Sequence, residues 1–339
     1  MTGRTAVVLF NLGGPDSLAA VRPFLQNLFN DPAIIRLPNP LRALVAWLIA
    51  KRRAETSREM YRKLGGRSPL LGETEAQARA LEAALGEGVR VFIAMRYWRP
   101  QAAAAARAVK QFAPDRVVLL PLYPQFSTTT TASSLADWQR AAHHAGLAVP
   151  TSAVCCYPMQ ADWAAAQATR IRDAINQLDA KPRVLFSAHG LPQKIVDAGD
   201  PYQWQVEQGA KAIAAHLVPD SFEAVVCYQS RVGPLQWIGP ETADEIRRAG
   251  RDRVPVIVLP IAFVSEHSET LVELDLDYAE IARQCGVPRY IRVPTLTAEQ
   301  GFIAGLAALV RQAVAGNAPL GCDGGGRLCP AGFAGCPNR

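Results

Sequence analysis

The chain carries one pattern of strands and helices twice, and no other feature constrains its fold as much. Short apolar runs alternate with Ala-rich stretches whose apolar residues recur at helical spacing. That alternation predicts an α/β protein with parallel sheets covered by helices. Strands are expected near 5–12, 89–95, 116–122 and 152–157, and again near 183–188, 223–228, 254–261 and 289–293. Val8-Leu9-Phe10-Asn11-Leu12-Gly13-Gly14 aligns with Val184-Leu185-Phe186-Ser187-Ala188-His189-Gly190, and Leu120-Pro121-Leu122 with Leu259-Pro260-Ile261. Tyr157-Pro158 before a helix at 161–178 parallels Val293-Pro294 before one at 298–315. The simplest account is an internal duplication, each half a four-stranded parallel sheet flanked by helices.

The spacing of the two copies is unequal. Val8 to Leu120 takes 112 residues and Val184 to Leu259 takes 75, so the first half holds a surplus of 37. An insertion at about 17–68 accounts for it and contains an apolar helical stretch at 37–50. An insertion after the first strand overhangs the C-terminal edge of its sheet, where ligands bind in such folds. It reads as a lip over a large flat ligand. The chain then divides into 1–160 with the lip, 161–297, and 298–339, a last helix followed by a Gly- and Pro-rich tail.

Composition narrows the partners. Nearly half of the 339 residues are apolar, enough for large cores, and the net charge is only +6. Arginine is spread along the chain apart from Lys51-Arg52-Arg53. This argues against a nucleic-acid partner and allows a basic face toward anionic substrates or lipid headgroups. Met1 leads into a strand with no cationic-plus-apolar leader, and no stretch has the ~20 apolar residues of a membrane span. A cytoplasmic protein is expected, and its seven cysteines then point to metal or redox chemistry.

Two segments carry the chemistry, each after an apolar strand-like run: Ser187-Ala188-His189-Gly190-Leu191-Pro192 and Phe263-Val264-Ser265-Glu266-His267-Ser268-Glu269-Thr270-Leu271. A strand-end imidazole such as His189 is a metal ligand or a general base. Glu269, Glu273 and Asp277 recur at i, i+4 and i+8, one acidic stripe on a helix with His267 beside it. Stacked carboxylates repel, so some should hold protons or bind a cation. Tyr123-Pro124-Gln125-Phe126-Ser127 and the four threonines after it follow the equivalent strand of the first half and offer aromatic and hydroxyl groups. No P-loop, dinucleotide fingerprint or serine elbow is present. In the tail, Cys322, Cys329 and Cys336 are evenly spaced, with Cys155 or Cys156 as a fourth ligand. Four thiolates suit a [2Fe–2S] cluster or zinc. Cys227 and Cys285 are expected to pack as small apolar groups.

With these residues in order, the chain resembles the ferrochelatases, which insert ferrous iron into a porphyrin. The resemblance also rests on Asn11-Leu12-Gly13-Gly14-Pro15, Ile49-Ala50-Lys51-Arg52-Arg53, Tyr61, Gly65-Gly66-Arg67-Ser68-Pro69 and Arg96-Tyr97. Gln229-Ser230-Arg231-Val232-Gly233-Pro234 and Trp237-Ile238-Gly239-Pro240 complete it. It implies two similar Rossmann-like, chelatase-type domains with the active-site cleft between them. It implies His189 and Glu269 as a facing catalytic pair that meets Fe²⁺, and His267, Glu273 and Asp277 as a proton or metal path on a helix that tends to widen into a π-helix. Leu12, Arg52, Arg53, Ser68 and Tyr123 become porphyrin contacts, the arginines because guanidinium suits carboxylate geometry. Leu12 stands where some relatives place Met, so no thioether is available there. The implied reaction makes protohaem from protoporphyrin IX and releases two protons. Coproporphyrin III as substrate, cobalt or nickel insertion into another tetrapyrrole, and a non-catalytic haem carrier are the competing readings. Some members of the family carry a [2Fe–2S] cluster on C-terminal cysteines plus a distant one, which favours the cluster over zinc here. Porphyrin and iron are the expected partners, with a peripheral contact on the inner face of the membrane and a monomeric or homodimeric state.

Overall fold

The computed structural model describes residues 3–231, 233–316 and 318–338. Met1, Thr2, Asn317, Arg339 and Val232, one position of the 229–234 motif, lie outside the described residues. In chain order the strands are β1 (Thr5–Asn11), β2 (Val89–Met95), β3 (Arg116–Pro121), β4 (Thr151–Val154), β5 (Arg183–His189), β6 (Glu223–Gln229), β7 (Val256–Pro260), β8 (Tyr290–Arg292) and β9 (Leu320–Gly321). All neighbours pair in parallel, in the orders β2-β1-β3-β4-β9 and β6-β5-β7-β8. The duplicated topology is therefore real. The first sheet departs from the expected four strands because two tail residues add a fifth at its edge. In both sheets the order reverses beside the first strand of the half, so the ends of β1/β3 and of β5/β7 are switch points where ligands bind.

The residue alignment of the halves needs a shift of one. Phe10 stands opposite Pro121, whereas Ser187 stands opposite Pro260. Val7 and Leu9 share the central core with Val184 and Phe186, while Val8 and Leu185 face outward cores. A one-residue slip exchanges the faces of a strand. Val7 therefore matches Val184, and the position equivalent to His189 is Leu12.

One core joins the two sheets. The helix Ala161–Ile175 follows β4 but packs on β7 and on the helix Tyr202–Ala214. The helix Gln300–Ala315 follows β8 but packs back on β3, β4 and the helix Leu70–Leu85. These two Ala-rich helices also pack on each other. Each starts with a side-chain cap, Gln160 accepting from the Trp163 N–H and Glu299 from the Gly301 and Phe302 N–H groups. Trp163 and Phe302 are fully buried, a contribution of about 1.5–3 kcal/mol for a side chain of that size.

The insertion forms the helices Val21–Phe29 and Leu41–Lys63, with a small core of Val21, Phe24, Leu25, Ala50, Tyr61 and Tyr97. The apolar stretch expected at 37–50 becomes helical only at Leu41, with Pro40 as its cap, because proline suits the start of a helix and not its interior. The helix then runs on through Lys51-Arg52-Arg53 and stops before Gly65 and Gly66, whose φ angles of 77° and 87° suit glycine. Buried Asp31 pins the lip to the body, accepting from the Tyr97 hydroxyl (2.8 Å) and the Ser133 hydroxyl and pairing with Arg96 (2.8 Å). Among the described residues, no helix is long and apolar enough to cross a membrane.

Candidate active site

His189 is the last residue of β5, where the sheet order reverses. The Tyr202 hydroxyl donates to its carbonyl (3.0 Å). Its Nδ1 lies 2.7 Å from Glu269 Oε2. An ionised carboxylate can only accept, so Nδ1 carries the hydrogen and Nε2 has no hydrogen-bond partner among the described residues. Burial works against a charged ring, but the Glu269 carboxylate outweighs it and the pKa of His189 lies above 6.5. Burial pushes Glu269 up, yet the attraction and hydrogen bond of His189, with His267 and Ser230, hold it down at about 2. The two residues form one contact pair rather than facing each other across a gap.

Glu269 opens a ten-residue π-helix, Glu269–Tyr278. The wide turn keeps residues at i and i+4 on nearly one face. His267 caps this helix, its Nδ1 accepting from the Glu269 N–H (2.9 Å). That bond requires a bare Nδ1, and burial lowers the pKa of His267 in agreement. His267 is thus a positioning group for Glu269, with its ring edge-on to Phe263 at 4.5 Å.

Glu273 is one step further in. It accepts from the Ser230 N–H (2.8 Å), the Ser230 hydroxyl, the Tyr278 hydroxyl (3.0 Å) and, more weakly, Gln229 Nε2 (3.3 Å). Burial and then the Glu269 charge raise its pKa despite these donors. The same Ser230 hydroxyl lies 3.3 Å from Glu269 Oε2, which makes it a bridge between the carboxylates. Asp277 does not join them. It is more than half exposed and lies 3.8 Å from Lys63 at the surface.

The expected porphyrin contacts are dispersed around this pair. Leu12 directly follows β1, at the position equivalent to His189, and packs half-buried against the lip core. Ser68 lies against Gly14, donates its N–H to the Pro15 carbonyl (2.8 Å) and caps the Leu70 N–H (3.3 Å). Tyr123 is half-buried, and burial, against the pull of Ser134 and Arg96, raises its pKa. Arg52 and Arg53 are exposed on the lip helix with no carboxylate partner among the described residues, and Arg53 lies over the Phe29 ring. Two groups escaped sequence reasoning. Ser230 lay inside a recognised motif but had no assigned role. Tyr61 reaches across from the lip to Ser268, and burial lifts its phenol to about 12.

The tail cysteines converge far along the chain from this pair. β9 pairs with β4, and the Cys155 N–H donates to the Gly321 carbonyl (2.7 Å). The sulfurs of Cys155, Cys156 and Cys322 lie within 4.8 Å of one another. Cys329 and Cys336 are buried beside them. Hydrogen bonds from Cys155 and Cys156 hold Cys322 at about 3, while contacts with Cys155, Cys322 and Cys329, together with burial, push Cys156 up. Crowded thiols cannot all ionise without a cation. Cys227 packs in an apolar core as expected.

A family model described as ferrochelatase matches residues 4–314. A Caulobacter vibrioides protein named ferrochelatase is 54% identical over 100% of this chain and 99% of its own. Another so named, from Rickettsia bellii, is 46% identical over 98% and 94%. Among solved structures, the sirohydrochlorin chelatase SirB of Bacillus subtilis subspecies spizizenii, in complex with cobalt, covers 91% of this chain and 95% of its own. Its TM-score is 0.56 at 11% identity, a likeness of fold alone.

Proposed function

This chain belongs to the ferrochelatase family, and from that premise we propose that it inserts Fe²⁺ into protoporphyrin IX, giving protohaem and two protons. As a ferrochelatase it is a lyase of haem biosynthesis that takes iron as substrate. The observation that carries the proposal is the hydrogen-bonded run His189–Glu269–Ser230–Glu273. A free-base porphyrin must lose two pyrrole protons as it gains the dication. His189 Nε2 is the base for one, with Glu269 holding the resulting imidazolium in place, and the other goes by way of Glu269 and Ser230 to Glu273. Glu273, with its raised pKa, is the better proton holder of the two carboxylates. The Ser230 hydroxyl hands protons between them, and Asp277 marks the way out beside Lys63. A haem carrier would have no use for this run.

Two further elements complete the reading. Leu41, Leu44, Trp47 and Leu48 are exposed on the lip helix, ahead of Lys51, Arg52 and Arg53. They suit a reversible contact with an anionic membrane face, while Arg52, Arg53 and Ser68 suit propionates. In the tail, Cys322, Cys329, Cys336 and one of Cys155 or Cys156 are the ligands of a [2Fe–2S] cluster. Five buried sulfurs in one pocket fit such a group. When bound, it supplies folding energy to a segment with little core of its own.

The deciding experiment supplies anaerobic protein with Fe²⁺ and either protoporphyrin IX or coproporphyrin III while the porphyrin spectrum is followed. Conversion of protoporphyrin is expected, falling about 10²–10⁴-fold in His189→Ala and Glu269→Gln. Faster turnover of coproporphyrin reassigns the substrate. Haem binding with no insertion leaves the carrier reading.

A further inference from the structure

Gln205 is fully buried on the helix Tyr202–Ala214, which belongs to the second half of the chain. Its amide reaches the cysteine pocket. The Phe126 N–H donates to Oε1 (2.7 Å), which fixes the orientation of the amide, because an N–H can face only the oxygen. The two hydrogens on Nε2 then point at sulfur: Cys329 Sγ at 3.1 Å and Cys156 Sγ at 3.4 Å. A thiol is a weak acceptor, so two buried amide hydrogens spent on thiols would be poorly satisfied. A thiolate, free or metal-bound, is a good acceptor. The amide is built for sulfur that carries negative charge.

We propose that Gln205 is the positioning residue of the cysteine site, donating N–H···S bonds to Cys156 and Cys329, and that Cys156 rather than Cys155 completes the ligand set with Cys322, Cys329 and Cys336. The proposal rests on the metal-thiolate reading of that site. Cys155 shares the cluster with Cys156 and Cys322, but the Gln205 hydrogens go to Cys156 and Cys329 and not to its sulfur; its backbone N–H continues the pairing of β4 with β9. Cys156 shares its donor with Cys329, so the two sulfurs face one point in space. Donors to ligand sulfur stabilise the more negative, reduced form of an iron–sulfur centre and raise its potential.

The test uses the full-length protein as purified. Wild type is assayed for iron, labile sulfide and zinc, and its midpoint potential is measured. Gln205→Glu keeps an acceptor for the Phe126 N–H but loses both amide hydrogens, and Gln205→Leu loses them without an added charge or an O–H, so the pair of variants separates the sulfur bonds from the anchor and from charge. In Gln205→Glu and Gln205→Leu the reduced-to-oxidised ratio at fixed potential is expected to fall about tenfold, a shift of ~59 mV for one electron. Cys156→Ala is expected to lose the metal, and Cys155→Ala to keep it. A cluster in wild type with unchanged potential in Gln205→Glu overturns the role of Gln205 while the cluster stands. Loss of metal from Cys155→Ala but not from Cys156→Ala overturns the ligand assignment. Wild type holding neither iron nor zinc sinks the metal reading and this proposal together. If wild type holds zinc, the cluster fails, and the donor role requires about tenfold faster zinc loss to a chelator in Gln205→Glu; equal rates overturn it.

Discussion

His189 and Glu269 work as a unit whose charge state sets the pH behaviour of the site. The pKa of His189 is raised, so its charged form contributes stability below 6.5 and loses it as pH climbs through the folded value. Glu269 is depressed from 4.5 to about 2, so its contribution holds above 4.5 and fades as pH falls toward 2. The paired state fills the window between. In the proposed mechanism His189 takes a proton and so must be neutral, and the acidic limb of kcat/KM then reports its raised pKa. Residual activity in Glu269→Gln is expected to have that limb displaced to lower pH, since the carboxylate that raised the imidazole is gone. A pH–rate profile measures this, and an unmoved limb would detach Glu269 from the base. Ser230 offers a second test. It holds φ at 63°, a left-handed conformation that costs a non-glycine residue roughly 1–3 kcal/mol. Both its N–H and its hydroxyl bind Glu273, which accounts for the strain being kept. Ser230→Ala loses a bond to a charged group, ~1.5–3 kcal/mol, or about 10–100-fold in kcat if the relay limits turnover. An unchanged kcat would remove the serine from the path. The difference in legibility is physical. His189 and Glu269 stand at strand ends in short motifs and can be found by eye. Ser230 matters through one backbone angle and two carboxylates 39 and 43 residues away, which no local pattern announces.

At the scale of elements, strands were readable where their apolar runs are long. All eight runs became strands, because a sheet covered on both faces needs continuous apolar residues. β9 was not readable: two residues, Leu320 and Gly321, pair only because the cysteine tail brings them to the edge of β4. The register of β5 was missed for another reason. Phe10 and Phe186 look alike, but they face different cores, and only the neighbouring strands fix which way each points. The lip helix was half legible. Its apolar stretch is plain, but its extension to Lys63 depends on packing against Val21–Phe29. Leu44 and Leu48 are 55% and 51% exposed, so changing them costs the fold little. Leu44→Glu with Leu48→Glu is expected to weaken partition onto anionic vesicles by roughly tenfold or more, given ~1.5–3 kcal/mol for each buried leucine, with an unchanged melting temperature. Raising the salt should weaken the wild type as well, through Lys51, Arg52 and Arg53. Equal partition of wild type and variant would take the membrane away from this helix.

The whole molecule behaves as one body because its halves exchange helices and share a core. Helices after β4 and β8 each pack on the other half, and Thr297 binds Glu73 across the join. The tightest seam is Asp200, almost fully buried at the start of the Tyr202 helix. It accepts from the Ser127 hydroxyl (3.0 Å), the Thr128 N–H (2.7 Å), the Thr128 hydroxyl (2.6 Å) and the Tyr202 N–H (3.0 Å). Beside it the Gly335 N–H donates to Gly199, and Trp204 meets Phe333, so the tail docks on this seam too. Such a frame leaves little room for the halves to hinge. Asp200→Ala strands four donors, with a loss of roughly 2–4 kcal/mol. At ~2–4 °C per kcal/mol for a large domain, the melting temperature should drop by about 5–15 °C. The transition should remain single, because neither half keeps a complete core without the other. Calorimetry decides the matter: two separate transitions in the variant would mean that the halves fold independently and that the cleft can open between them.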